Sequence, residues 1–440
     1  MSNKIYGTST TTPLSKEKIN QMIDKKIQIA KNELIGTADD EAWVDTIKGA
    51  KQHSLDLMHS LEDRANQTFV AKTQLDEAVE ELKEYVDESI KSIASWADVQ
   101  KIVRSGLASR MFSVGEQLAC ERNGEMLVWD IIGIDHDIPV DKTKTHSMTL
   151  QLHNVFTKIQ GCNVQAMFYA ENGLSAGTYN FSIPAGIDDE YGGGKTYSFT
   201  LTKPVPVGGV VYYPWGHRKQ ATEVKVYTYP NNTDSHIEYA NVREGAEGTS
   251  LESLGELNHF DRRYGSNNWF NSATRQYINS PSEAGSVWTP KDKYDRPPSW
   301  KNDTEGFLNG MDEDFLAVIG EVEKATALSD IDGGGIVTES ERFFLLSSTE
   351  VYGYDETATP EGKVYSYYKD LSDNNKPTSQ ADSNRVKYLL SDTSATSEWL
   401  LRTPQVSLGN YIRVVTNGDG KVGRQIPQWQ WGVCPACCIV

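Results

Sequence analysis

From Lys16 the apolar residues fall at helical spacing: Ile19, Ile23, Ile27, Ala30 and Leu34 follow at intervals of 4, 4, 3 and 4 residues. So narrow a stripe is that of a coiled-coil seam, and Gly36 ends it. A less regular segment from Asp39 carries Trp43, Ile47, Ala50, Leu57 and Leu61, and a third marks one face with Leu75, Val79, Leu82, Val86, Ile90 and Ile93. An isolated helix with one apolar stripe is marginal in water. The pattern therefore predicts self-association, or else an antiparallel hairpin packed within one chain. β-Branched residues along the seam favour a trimer. Residues 1–15 are expected to be irregular or docking sequence, and residues 16–94 a helical coiled-coil stalk.

The regime changes at Ser95, which can cap a short connecting helix over 95–110 bearing Trp96, Val99, Ile102 and Val103 and stopped by Gly106. From Met111 the pattern reads as strand. The continuous apolar run Met126–Ile134 predicts a strand covered on both faces. Over 147–245, short alternating runs such as "SMTLQLHNV", "AGTYNFSIP" and "EVKVYTYP" are separated by Gly, Pro and Asp, which predicts an antiparallel β-rich insertion or subdomain. "NNWFNSATRQYINS" predicts an amphipathic helix with Trp269, Ala273, Tyr277 and Ile278 inward. The last residues, "QWQWGVCPACCIV", are apolar where termini are usually polar, and predict a buried closing strand.

Composition narrows the partners. At 440 residues the chain exceeds one ordinary core. A net charge of −18, with no Lys/Arg cluster longer than "DKK" or "DRR", argues against nucleic acid. No apolar run reaches the roughly 18 residues of a membrane span, and the N-terminus lacks the apolar region of a secretory signal, so no membrane insertion is expected. Five cysteines are too sparse for a disulfide framework. The 21 Tyr and 10 Trp sit mostly after residue 95 among Asn, Ser and Gly. That mixture suits a recognition surface, and equally a β-rich core packed with rings.

The order "FSVGEQ", "VWDIIGIDHD", "NNWFNSATRQYINS", "ERFFLLSSTEVYGY", "SEWLLRTP" and a terminal "WGVCPACCIV" resembles a family of domains common in gut phages and prophages. That family looks like the C-type-lectin-like fold of the formylglycine-generating-enzyme type, and it includes the variable proteins of diversity-generating retroelements. The resemblance covers roughly 111–440. In such proteins the final stretch often reads G-x-R-P-A; here it is Gly432-Val433-Cys434-Pro435-Ala436, with cysteine in place of arginine. Joined to the helical stalk that the periodicity predicts, the resemblance implies an α+β chain, a stalk followed by a lectin-like head over 111–440, whose segment between Thr403 and Trp431 is displayed on the outer face.

Reactive groups are weighed against bland roles. Cys434, Cys437 and Cys438 lie in an apolar strand, where thiols behave as small hydrophobes. A single C-x-x-C pair without nearby His is weak as a zinc site. Asp312, Glu313 and Asp314 fit a helix N-terminal charge bias better than a glycosidase pair. "SDIDGGGIVTESE" lacks the ligand spacing of a calcium loop and fits a turn, as does "DEYGGGKTY". His136, His146 and His153 are expected to be ordinary core or surface residues.

The expectation that follows is a non-enzymatic phage virion fibre or adhesin, made in the host cytoplasm. It is a homotrimer docked to other virion proteins through its N-terminus, with no cofactor and no metal. It binds a host cell-surface glycan or protein through loop residues Tyr411, Arg413, Asn417, Asp419, Gln425, Gln428 and Gln430, and three joined heads gain effective concentration. Trp429 and Trp431 are ambiguous, since one of an alternating pair is expected to face the core. The alternatives are a capsid or collar decoration fibre and a surface-glycan depolymerase.

Overall fold

The computed structural model describes residues 95–161, 164–165, 167–183, 185, 194–211, 223–228, 236–239, 242–258, 267–291, 293–369, 384–427 and 429–440. These residues are β-rich, with 25 strands and five short α-helices, of which Trp96–Arg104, at nine residues, is the longest. The expected α+β class, a coiled-coil stalk ahead of a C-type-lectin-like head, is thereby corrected. Short period-two runs and Gly-centred turns set the class downstream of Met111, and no described helix offers the several heptads that a coiled coil needs. The stalk at 16–94 lies outside the described residues, as do the "DEYGG" stretch and Gln428.

The chain forms two compact units, one of residues up to Gln151 with Met311–Val322 and Cys438–Val440, the other of Leu152–Gly310 with Glu323–Cys437. In the first, Ser95 and Asp98 make a reciprocal capping box that starts the Trp96–Arg104 helix, whose Trp96, Val99, Ile102 and Val103 are buried. The Trp96 ring meets Phe315 edge-on at 4.8 Å, and Phe315 lies 5.2 Å from Trp129. Strands Gln117–Arg122 and Glu125–Ile134 pair antiparallel across Asn123-Gly124, both at positive φ. An Asn-Gly pair adopts that tight hairpin turn at little cost. The chain's last residues add a strand: Ile439 and Cys438 pair with Ile319 and Gly320, and Gln100 and Arg104 donate to a Val440 oxygen at 2.9 and 3.1 Å. The apolar terminal run is thus a closing strand, all of Ala436–Ile439 being buried.

The second unit contains a satellite core of β hairpins. Strands Gly177–Ser182 and Thr196–Leu201 pair in register and send Tyr179, Phe181, Tyr197 and Phe199 into one cluster with Phe168, Leu251 and Leu257. Beside it in sequence runs a five-stranded sheet in the order Val422–Gln425, Ile412–Val415, Trp399–Pro404, Gln430–Val433 and Thr157–Gln160. Ser347 and Glu350 form a second capping box, on the Ser348–Tyr352 helix.

Within this unit four charged side chains are buried together. Arg402, fully buried, donates to Glu350 at 2.6 Å, to Thr326 Oγ1 and to the carbonyls of Leu345, Ala325 and Glu361. Lys324 donates to the other Glu350 oxygen at 3.0 Å and to Tyr365 at 2.6 Å, and lies 4.1 Å from the Phe344 ring centroid. Glu361 accepts from Thr403 Oγ1 and the Ala327 N–H. Two cations face two carboxylates, and all five guanidinium donors have partners, which is the condition for charge to be tolerated in a dry core. A smaller cluster repeats the theme: Glu341 accepts from Trp269 Nε1 at 2.9 Å and from Arg275, and burial raises its pKa against the opposing pull of Arg275.

Candidate functional site

The hairpin Ile412–Val415 and Val422–Gln425 turns through Thr416–Lys421, where Gly418 and Gly420 take positive φ. Asp419 closes that turn: Thr416 Oγ1 and the Lys421 N–H both donate to Oδ1. These hydrogen bonds, Thr416 first and Lys421 next, hold its pKa near 2. Asn417 and Asp419 are exposed at the tip. Asp419's carboxylate is thereby committed to building the turn.

Antiparallel register sorts the remaining candidates onto two faces. Arg413 stands directly opposite Arg424. Two positions along the same face come Val415 and its neighbour Trp399, both fully buried, so the arginines mark where that face leaves the core. Like charges placed opposite one another repel, and each guanidinium has its own support. Arg413 donates to Glu356 at 2.6 Å and lies 5.4 Å from the Tyr354 centroid. Arg424 donates to the Gln405 amide oxygen at 3.2 Å and lies 4.8 Å from the Tyr411 centroid. Glu356 neutralises the first; the second has no carboxylate partner among the described residues. The result is an exposed, uncompensated cation, Arg424, held by a tyrosine and an amide, with the Arg413–Tyr354 pair beside it. Tyr354 is itself exposed.

Gln425 pairs with Ile412 and so points to the opposite face, where Nε2 donates to Glu398 at 3.0 Å. Trp431 shares that face, because its neighbour Gly432 pairs with Trp399. Trp429, two residues earlier, is 56% exposed, and its ring lies 6.3 Å from that of Trp431. Neither tryptophan takes the core position expected of one of them; positions two apart share a side. Gln430 is exposed opposite Gln160. Six of the seven candidates thus divide between two faces and a hairpin tip, and the seventh, Gln428, lies outside the described residues.

Sequence reasoning missed the residue that shapes the arginine face. The loop 405–411 closes on itself through Leu408 N to Gln405 O, Tyr411 N to Leu408 O and Gln405 N to Tyr411 O. The second lone pair of each of those carbonyls meets one atom, the buried Asn267 Nδ2, at 3.4, 3.0 and 2.8 Å. Asn267 therefore pins Gln405 and Tyr411, the two partners of Arg424, from far away in sequence. An Asn267→Ala change is expected to cost about 1–3 kcal/mol of stability, readable in urea unfolding. Asn267→Asp, which sets a carboxylate oxygen against three carbonyls, is expected to cost more.

The other candidates have structural places. Asp312 caps the Glu313–Val318 helix, accepting from Asp314 N at 2.9 Å. Gly333, Gly334 and Gly335 all take positive φ in a turn closed by Ser329 and Asp332. Cys120, Cys434, Cys437 and Cys438 are buried free thiols, and burial pushes the Cys120 pKa up to about 12. His146 Nδ1 faces Asp135 at 3.1 Å.

Residues 242–440, a little under half of the chain, match a family described as a domain of unknown function (DUF6273). No curated protein and no solved structure matches the chain.

Proposed function

We propose that the chain is a non-catalytic recognition protein that holds a surface ligand, glycan or protein, through the Arg413–Arg424 face of its second unit. The observation that carries this reading is the uncompensated Arg424 guanidinium. It is exposed on a chain of net charge −18, and Gln405, Tyr411 and the Asn267 pin fix it in place. A preorganised guanidinium beside aromatic rings recognises a carboxylate or another anion with little loss of conformational freedom. The tyrosines add amphipathic contact area. Attachment to a phage particle rests on the sequence resemblance alone, and the homotrimer rests on residues outside those described; the binding reading requires neither.

The test is retention of the full chain on immobilised carboxylate-bearing polysaccharides, such as alginate and hyaluronate, and on immobilised acidic proteins, over a salt series. Arg424→Ala is expected to weaken retention about tenfold or more, the loss typical of a binding hot spot, without shifting the thermal midpoint. Retention that ignores both Arg424→Ala and salt would contradict the proposal.

A further inference from the structure

The opposite face of the same sheet carries a second constellation, distinct from the arginine face. Trp429 is the one tryptophan among the large hydrophobic side chains exposed in the described residues. Its indole N–H has no partner among those residues. Trp431, half-buried, is anchored by Nε1 donating to Ile426 O at 2.8 Å, and Trp429 N reaches the same carbonyl at 3.3 Å. The two rings, at 6.3 Å and inclined by 35°, form an open, shallow aromatic step. Gln425 ends the Val422–Gln425 strand beside Ile426, whose carbonyl holds both tryptophans, and its Nε2 is held by Glu398 Oε2. Among the described residues, that leaves Gln425 Oε1 and Glu398 Oε1 as acceptors without a donor.

We propose that Trp429 and Trp431, with Gln425 and Glu398, form a binding site for a neutral pyranose unit of a glycan. A pyranose has an apolar face of C–H bonds and a rim of hydroxyl donors. The indole step matches the face, and the two acceptors match the rim. An apolar protein side chain seated here would bury the Glu398 carboxylate without new hydrogen bonds, which is costly. An acidic sugar would meet the same carboxylate as a like charge, so the ligand is neutral, in contrast to the anion expected at Arg424. Trp431 is already fixed, so the site orders little on binding. The inference is independent of the arginine-face reading.

Affinity electrophoresis of the full chain tests it, in gels cast with hydroxyethyl cellulose, laminarin, xylan, galactomannan or α-mannan. At least one polymer is expected to retard the protein. Trp429→Ala should weaken that retardation about tenfold or more, while Arg424→Ala leaves it unchanged. Since Trp429 is largely exposed, its variant should unfold at the parent's temperature. Absence of retardation in all five polymers, or retardation untouched by Trp429→Ala, would overturn the inference. So would a dimer, seen by light scattering, that Trp429→Ala dissolves, because the step would then be covered by a second copy.

Discussion

Replacing Arg402 by leucine is expected to destabilise the protein by about 3–5 kcal/mol, the range measured when one member of a buried ion pair is removed. Arg402 is fully exposed to no solvent and satisfies Glu350, Thr326 and the carbonyls of Leu345, Ala325 and Glu361 at once. Leucine would leave the Glu350 carboxylate with Lys324 as its one cation and strip three carbonyls of a donor. Glu350→Gln is expected to fall in the same range, because it removes the negative charge that Arg402 and Lys324 share and, with its oxygen kept toward Arg402 and Ser347, turns an amide N–H2 against the Lys324 ammonium. Guanidinium unfolding at neutral pH, with the slope unchanged, reads both. A loss below about 1 kcal/mol would place these charges in solvent, as for an exposed pair.

A second large effect is expected from pH. Burial, partly opposed by Arg402 and by the Thr403 and Ala327 hydrogen bonds, raises the Glu361 pKa from 4.5 to about 7. Between those values the folded protein binds more protons at this site than the unfolded chain, so stability falls as pH rises through the window. Below 4.5 the contribution is fully present, and above about 7 it is lost. A shift of this size corresponds to at most about 3 kcal/mol. Glu361→Gln keeps an oxygen for the Ala327 N–H and turns an amide N–H2 toward the Thr403 hydroxyl, which can accept from it, but it cannot ionise and should flatten that part of the curve. Unfolding midpoints of parent and variant at pH 5 and pH 8 decide it; equal pH dependence in both would contradict the assignment.

Local signals were legible in the sequence wherever one short stretch dictates the outcome. Ser95 starts its helix with Trp96, Val99, Ile102 and Val103 inward, Asp312 caps another, and the apolar end of the chain is a buried strand. The class is hard to read from sequence because helical periodicity at 16–94 is a strong signal, whereas many of the strands, two to six residues long, are each too short for a strong period-two signal. Long-range pairing was invisible. Arg413 faces Arg424 through a register that the turn sets. Asn267 meets the 405–411 loop across 138 to 144 residues. Lys324, Glu350, Glu361 and Arg402 stand on four separate segments, and in sequence each reads as an ordinary surface charge. Sequence alone does not sort Trp429 and Trp431, because the strand pairing that places them on one side is a long-range contact.

The central claim, recognition without turnover on the arginine face, is tested most directly by following a retained polysaccharide after binding. The full chain and the Arg413→Ala/Arg424→Ala double variant are incubated with the polymer that retains the parent, and the polymer's molar mass is tracked by light scattering. The account predicts that the polymer keeps its mass while the parent stays bound, and that the double variant, less stable for the loss of the largely buried Arg413–Glu356 pair but still folded by circular dichroism, fails to bind. A falling molar mass, or a double variant that binds like the parent, would contradict it.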